Sequence, residues 1–135
     1  MDSKLLRNLN TTALAYMGDS VYEQAVRKHL LEKGGIDANK LHRMATGYVS
    51  ATAQAKIIKA IFDELSEEEQ ALVKRARNRK FNTKAKNADP VTYKWATALE
   101  ALVGYLYLSE EEGSEARLNW FLKRAIEIAD LKGNE

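Results

Sequence analysis

Residues 94–108 read KWATALEALVGYLYL. From Trp95 to Leu108 the run contains one charged side chain, Glu100. Its apolar residues point in every direction around a 3.6-residue turn, so the run is predicted to be a helix covered on most sides. An ionised carboxylate in such a place is costly unless it is paired, hydrogen-bonded or bound to a metal. Glu100 therefore requires a partner. A structural hydrogen bond or buried ion pair meets that requirement, and so does a metal ion.

The flanking sequence supports the helix and extends the pattern. Asp89-Pro90 supplies an N-cap with proline at the first helical position, and the helix is predicted to run to about Glu111, before Gly113. Ser114 is placed to cap a last helix with a stripe of Leu118, Phe121, Leu122, Ala125, Ile126 and Ala129. Toward the N-terminus, a first helix is predicted from Asn10–Thr12 through Leu31, stopped by Gly34–Gly35. A second is predicted after Asp37 and continuous to Leu65. Ser66-Glu-Glu-Glu69 forms a capping box that opens a third toward Arg77. No strand-like alternation runs for long. The fold class is therefore all-α, and residues 1–135 are read as one domain.

Composition narrows the chemistry. Hydrophobic content of 45% and charged content of 30% fit a globular chain. Without cysteine there are no disulfides and no thiolate metal sites, and His29 and His42 alone do not make a histidine-rich zinc site. The N-terminus lacks the apolar core of a secretory signal, and 94–108 is too short to span a bilayer, so a cytoplasmic location without membrane contact is expected. Charge is unevenly spread. Residues 74–86, KRARNRKFNTKAK, carry seven Lys/Arg and no acid, while the rest of the chain balances at −5. A basic block in an otherwise acidic domain is either a solvated segment or a contact for a polyanion.

A second isolated carboxylate occurs in TTALAYMGDSVYEQAV, where Asp19 follows Gly18 in mid-helix. Both are poor helix-interior residues. Gly18, and Gly104 one turn after Glu100, would each let another backbone approach closely. Two such helices can cross so that Asp19 and Glu100 meet. Without a cation, two facing carboxylates would repel and one would stay protonated. Mg²⁺ resolves this with one or two protein carboxylates, leaving water and phosphate to complete its shell. Beside a basic segment, that arrangement suits phosphodiester chemistry.

These residues carry a family resemblance. LAYMGDSVY at 14–22 resembles the signature of ribonuclease III, and ATALEALVGYLYL at 96–108 resembles its second conserved segment. KLHRMATGYVSATAQA at 40–55 resembles the helix between them. The chain is most similar to the Mini-III type, a stand-alone ribonuclease III domain without a double-stranded-RNA-binding domain. Two glutamates of the usual first motif fall on Thr12 and Ala15, and the usual aspartate of the second falls on Thr97. Asp19 and Glu100 remain, a reduced set that Mini-III proteins share.

The resemblance implies a ribonuclease III-like helical endonuclease domain. It implies a Mg²⁺-dependent enzyme that cuts double-stranded RNA, leaves 5′-phosphate and 3′-hydroxyl ends and works as a homodimer. In the Mini-III type, the role is maturation of 23S (large-subunit) ribosomal RNA. Asp19 and Glu100 are expected to be the catalytic and metal-binding residues, with Asp19 also orienting the attacking water. Arg75, Arg77, Arg79, Lys80, Lys84 and Lys86 are expected to grip phosphates. With one aromatic, Phe81, in 74–86, the block suits duplex rather than single-stranded RNA. Selectivity is expected to rest on RNA shape or on a helper such as a ribosomal protein.

Other residues are left open or given ordinary roles. Glu23 either extends the acid pair or binds Arg27, and Thr97 offers only a hydroxyl. His29 and His42 are read as surface or packing residues, and Arg43 as a support for the acids. Tyr16, Met17, Tyr22, Tyr105 and Tyr107 are read as core or dimer-interface residues. Two competing functions remain: a Mg²⁺-dependent nucleotide pyrophosphohydrolase and a non-catalytic RNA-binding or ribosome-associated module.

Overall fold

The computed structural model describes residues 1–34, 37–79 and 89–133. Among these, seven α-helices follow in order: α1 (Ser3–Asn8), α2 (Thr11–Glu32), α3 (Ala38–Val49), α4 (Ala51–Ile61), α5 (Glu67–Asn78), α6 (Pro90–Leu108) and α7 (Ser114–Gly133). A single 3₁₀ turn, Phe62–Glu64, extends α4. No described segment is a strand, as expected for an all-α chain. No described helix is long and apolar enough to cross a membrane.

Caps set most of the boundaries. Asn10 accepts a hydrogen bond from the Ala13 N–H at 2.8 Å and starts α2. Gly34, at φ +90°, ends that helix in the left-handed region that glycine alone enters freely. Ser66 and Glu69 complete the reciprocal capping box at α5, with bonds of 2.8 and 3.1 Å. Asp89 accepts from the Thr92 N–H at 3.0 Å ahead of Pro90.

Four boundaries differ from expectation. The predicted second helix breaks at Ser50, whose ψ of 155° is extended. Its N–H closes α3 on the Thr46 carbonyl, and its hydroxyl opens α4 by accepting from the Ala53 N–H at 3.1 Å. A serine that satisfies both ends competes well with continued helix. α6 stops at Leu108 rather than Glu111, because a run of three acids at a helix C-terminus opposes the macrodipole. Ser114 is the first residue of α7, not its cap, and its hydroxyl bonds that of Ser109. α1 was not anticipated; six residues are too few for a periodic signal, and it is held by the Asp2 cap and the burial of Leu6.

α6 is the central helix and packs against α2, α4, α5 and α7. Ala98, Leu99, Ala101, Leu102 and Val103 are all fully buried, which explains why it is apolar all round. α7 contributes its stripe, with Leu118, Phe121, Ala125 and Ala129 buried and Leu122 and Ile126 partly so. Polar ties also fasten α7, among them Arg124 on the Glu64 carboxylate at 3.0 Å. Arg117 grips the Glu69 carboxylate at 2.8 and 2.9 Å. Asp130 receives Lys33 at 2.9 Å, His29 at 3.0 Å and the Tyr48 hydroxyl.

Candidate active site

α2 and α6 cross with their backbones in contact. A Cβ added to Gly18 would overlap the Glu100 carbonyl and lie 2.8 Å from the Gly104 nitrogen. A Cβ added to Gly104 would overlap the Leu14 carbonyl and lie 3.1 Å from the Gly18 nitrogen. The two glycines therefore define the crossing, and only residues without a side chain fit there. Asp19 follows Gly18, and Glu100 is one turn before Gly104. The same contact brings both carboxylates together.

Asp19 is exposed, and Glu100 is half-buried beneath it. Asp19 lies close enough to act on the Glu100 carboxyl. Burial, then the proximity and charge of Asp19, push the Glu100 carboxyl up to about 9, against an opposing influence of Gln54. Glu100 thus holds a proton at neutral pH, the only relief for two facing carboxyls without a cation. A hard divalent cation fits this all-oxygen donor set. One carboxylate faces solvent, where water can fill the remaining positions. Among the described residues no group of three or more histidines or acids is arranged to hold a metal, so the pair has no third acid.

The residues around the pair have other commitments. Tyr22 lies buried in α2, and its hydroxyl donates to the Tyr48 carbonyl at 2.8 Å. Burial chiefly, and then the charges of Tyr48 and Glu100, raise its pKa. Glu23 accepts from Arg27 at 2.7 Å, the rim pairing that was one of its two readings. Thr97 is buried, and its hydroxyl donates to the Tyr93 carbonyl at 2.9 Å. His29 packs edge-on against Tyr48, whereas His42 and Arg43 are exposed.

The basic block divides in two. Lys80, Lys84 and Lys86 lie outside the described residues. Arg75 and Arg79 line a cleft of about 1230 Å³ with Arg7, Arg117, Glu69 and Tyr105. Neither Asp19 nor Glu100 lines it. Arg77 instead stacks over Trp95, 4.9 Å from the ring centroid.

Gln54 is the site residue that the sequence reading missed. It is 3% exposed on α4, and its influence on the Glu100 carboxyl opposes the upward push of burial. The available signal was a lone amide within ATAQAKIIKAI, where Ala55, Ile57, Ile58 and Ile61 are buried.

The family profile described as Ribonuclease III domain matches residues 12–111, a span that includes both acids and both glycines of the crossing. The chain belongs to the ribonuclease III domain family and is an endoribonuclease. It is 48% identical to the Mini-ribonuclease 3 of Enterococcus faecalis, with 90% of this chain and 94% of that one covered. It is 46% identical to the Mini-ribonuclease 3 of Streptococcus pneumoniae, over 86% of this chain and 93% of the relative. A crystal structure of a Fusobacterium nucleatum protein superposes with a TM-score of 0.78 at 32% identity, covering 90% of this chain and 94% of that one.

Proposed function

We propose that the protein is a Mini-III ribonuclease that hydrolyses phosphodiester bonds in double-stranded RNA at the Asp19–Glu100 pair. The observation that carries this reading is the meeting of the two carboxyls at the Gly18–Gly104 crossing. Asp19 and Glu100 would hold Mg²⁺, and Asp19 would orient the attacking water. The bound cation supplies positive charge to the phosphate and an activated water at neutral pH. The products would carry 5′-phosphate and 3′-hydroxyl ends.

Arg75, Arg77, Arg79, Lys80, Lys84 and Lys86 would bind RNA through phosphates. A-form duplexes offer proteins their backbone and 2′-hydroxyls more readily than their bases, which suits a basic segment with few rings. A homodimer would give each strand its own site. Tyr16, 83% exposed on α2 one turn before Asp19, supports an interface on that helix. The similarity to Mini-ribonuclease 3 chains over most of their length supports a cytoplasmic role in maturing the stem of a large-subunit ribosomal RNA precursor, with a ribosomal protein as helper.

The test is a comparison of substrates. A labelled RNA duplex, the separated strands and a nucleoside triphosphate are each incubated with protein and Mg²⁺ at low salt. Cleavage of the duplex alone, with 5′-phosphate ends, is expected. Hydrolysis of the triphosphate without duplex cleavage would reassign the site to nucleotide hydrolysis.

A further inference from the structure

We propose that Lys59 and Lys74 join Arg77 in a surface, built on the rings of Trp95 and Phe62, that binds the phosphate backbone of duplex RNA beside the scissile bond. The inference deepens the reading of the protein as a double-stranded-RNA nuclease and rests on it. It carries the RNA contact beyond the basic segment and onto α4. Several elements meet at this surface. The Lys59 ammonium of α4 lies 5.5 Å from the Trp95 ring centroid, and the Arg77 guanidinium of α5 lies 4.9 Å from it. Phe62, on the 3₁₀ turn, meets Trp95 edge to face with centroids 6.4 Å apart. Phe62 in turn carries the Lys74 ammonium at 5.7 Å. Lys59 and Lys74 are exposed, while Arg77 and both rings are half-buried.

No acid balances these charges. Arg27, Lys28, Lys33, Arg117 and Arg124 each face a carboxylate, whereas Lys59, Lys74 and Arg77 form no ion pair among the described residues. Of the two acids that follow Phe62, Glu64 is held by Arg124 at 3.0 Å, and Asp63 forms no ion pair among the described residues. Like charges gathered without a counter-charge repel, and a polyanion relieves that repulsion. The rings attract the cations and restrict their long side chains, which lowers the ordering cost when a phosphate binds. Trp95 is already engaged by two cations and by Phe62, so it offers charge rather than an open platform for a base. That suits a duplex, which presents its backbone, more than a single strand, which presents its bases. Trp95 is five residues before Glu100, about 7.5 Å along α6 and about 140° around it. The cluster therefore lies beside the acids and not among them, and the phosphates it binds flank the one that is cut.

The experiment measures binding of a labelled RNA duplex in EDTA at several salt concentrations, by fluorescence anisotropy. Wild type is compared with Lys59→Gln, Lys74→Gln and the double variant, which remove charge from exposed positions. Lys123→Gln, at an exposed lysine of α7 outside the cluster, is the control. Each single change should lower affinity about threefold and the salt slope by roughly 0.9, and the double change should lower the slope by roughly 1.8. The duplex concentration for half-maximal cleavage in Mg²⁺ should rise by similar factors. Lys123→Gln should match wild type.

Lower melting temperatures with unchanged affinity and slope would overturn the proposal and leave the cations to the fold. An equal loss of affinity in Lys123→Gln would also overturn it, because net charge alone would then account for the effect. If the double variant loses duplex affinity and wild type never cuts the duplex, the surface stands and the reading of the acids falls. If wild type cuts and the double variant binds and cuts as wild type does, the surface falls and that reading stands. If wild type does not bind the duplex, both fall.

Discussion

Gly18 and Gly104 meet backbone to backbone, and the carboxyls of Asp19 and Glu100 meet as a consequence. The crossing is a structural joint and the frame of the site at once. Its geometry leaves no room for a methyl group on either helix.

Gly18→Ala and Gly104→Ala should each destabilise the fold by about 3 kcal/mol or more, because the added carbon would press on backbone rather than on a side chain that can yield. Gly47→Ala is the contrast. A Cβ there has nothing within 4 Å, and the residue lies inside α3, so a gain of about 0.5–1 kcal/mol is expected. Urea unfolding of the three variants checks both signs.

Asp130 is pushed up by burial, but hydrogen bonds from Tyr48 and Lys33 and the charge of His29 outweigh this and hold it below the usual range. A carboxyl depressed in the folded state contributes stability that is present above its unfolded pKa of about 3.9 and lost as pH falls through the folded value. Asp130→Asn should therefore cost about 1–3 kcal/mol at neutral pH. Its stability should also decline less than that of wild type below about pH 4. Denaturation at pH 7 and pH 3 separates the two effects.

Arg75 and Arg77 should differ on substitution. Arg75 is exposed in the cleft, so Arg75→Ala should weaken duplex binding and lower the salt slope by roughly 0.9 while leaving stability unchanged. Arg77 stacks on Trp95, so Arg77→Ala should also lose about 0.5–1 kcal/mol of folding stability. Duplex titrations at several salt concentrations, paired with melting curves, distinguish them.

Tyr16 is 83% exposed, so Tyr16→Asp should leave the protomer folded. With a dimer built on α2, the same change should convert it to monomer, because a carboxylate would face its own copy across a two-fold axis. Sedimentation equilibrium reads the outcome, and an unchanged dimer would place the interface elsewhere.

The strong helical signals were readable in advance. Asn10, Asp37, Ser66 and Asp89 each cap a helix at the expected place, because capping is local chemistry between neighbours. The meeting of Asp19 and Glu100 was readable because each acid was anomalous in its own helix and each had a glycine within a turn. Ser50 was overlooked, since its two caps compete with a helix that the apolar pattern alone would continue. Gln54 was overlooked because its meaning lies in α6, 46 residues away in sequence. Nothing in 74–86 foretold that Arg77 would be drawn onto Trp95, a contact made across helices.

The most direct test of the account follows one labelled RNA duplex with wild type, Asp19→Asn and Glu100→Gln, scoring cleavage in Mg²⁺ and binding in Ca²⁺. The account predicts that wild type cuts both strands, and that both variants bind within a few-fold of wild type and cut neither strand. Cleavage at wild-type rate by either variant would contradict it, and so would a wild type that binds the duplex and never cuts.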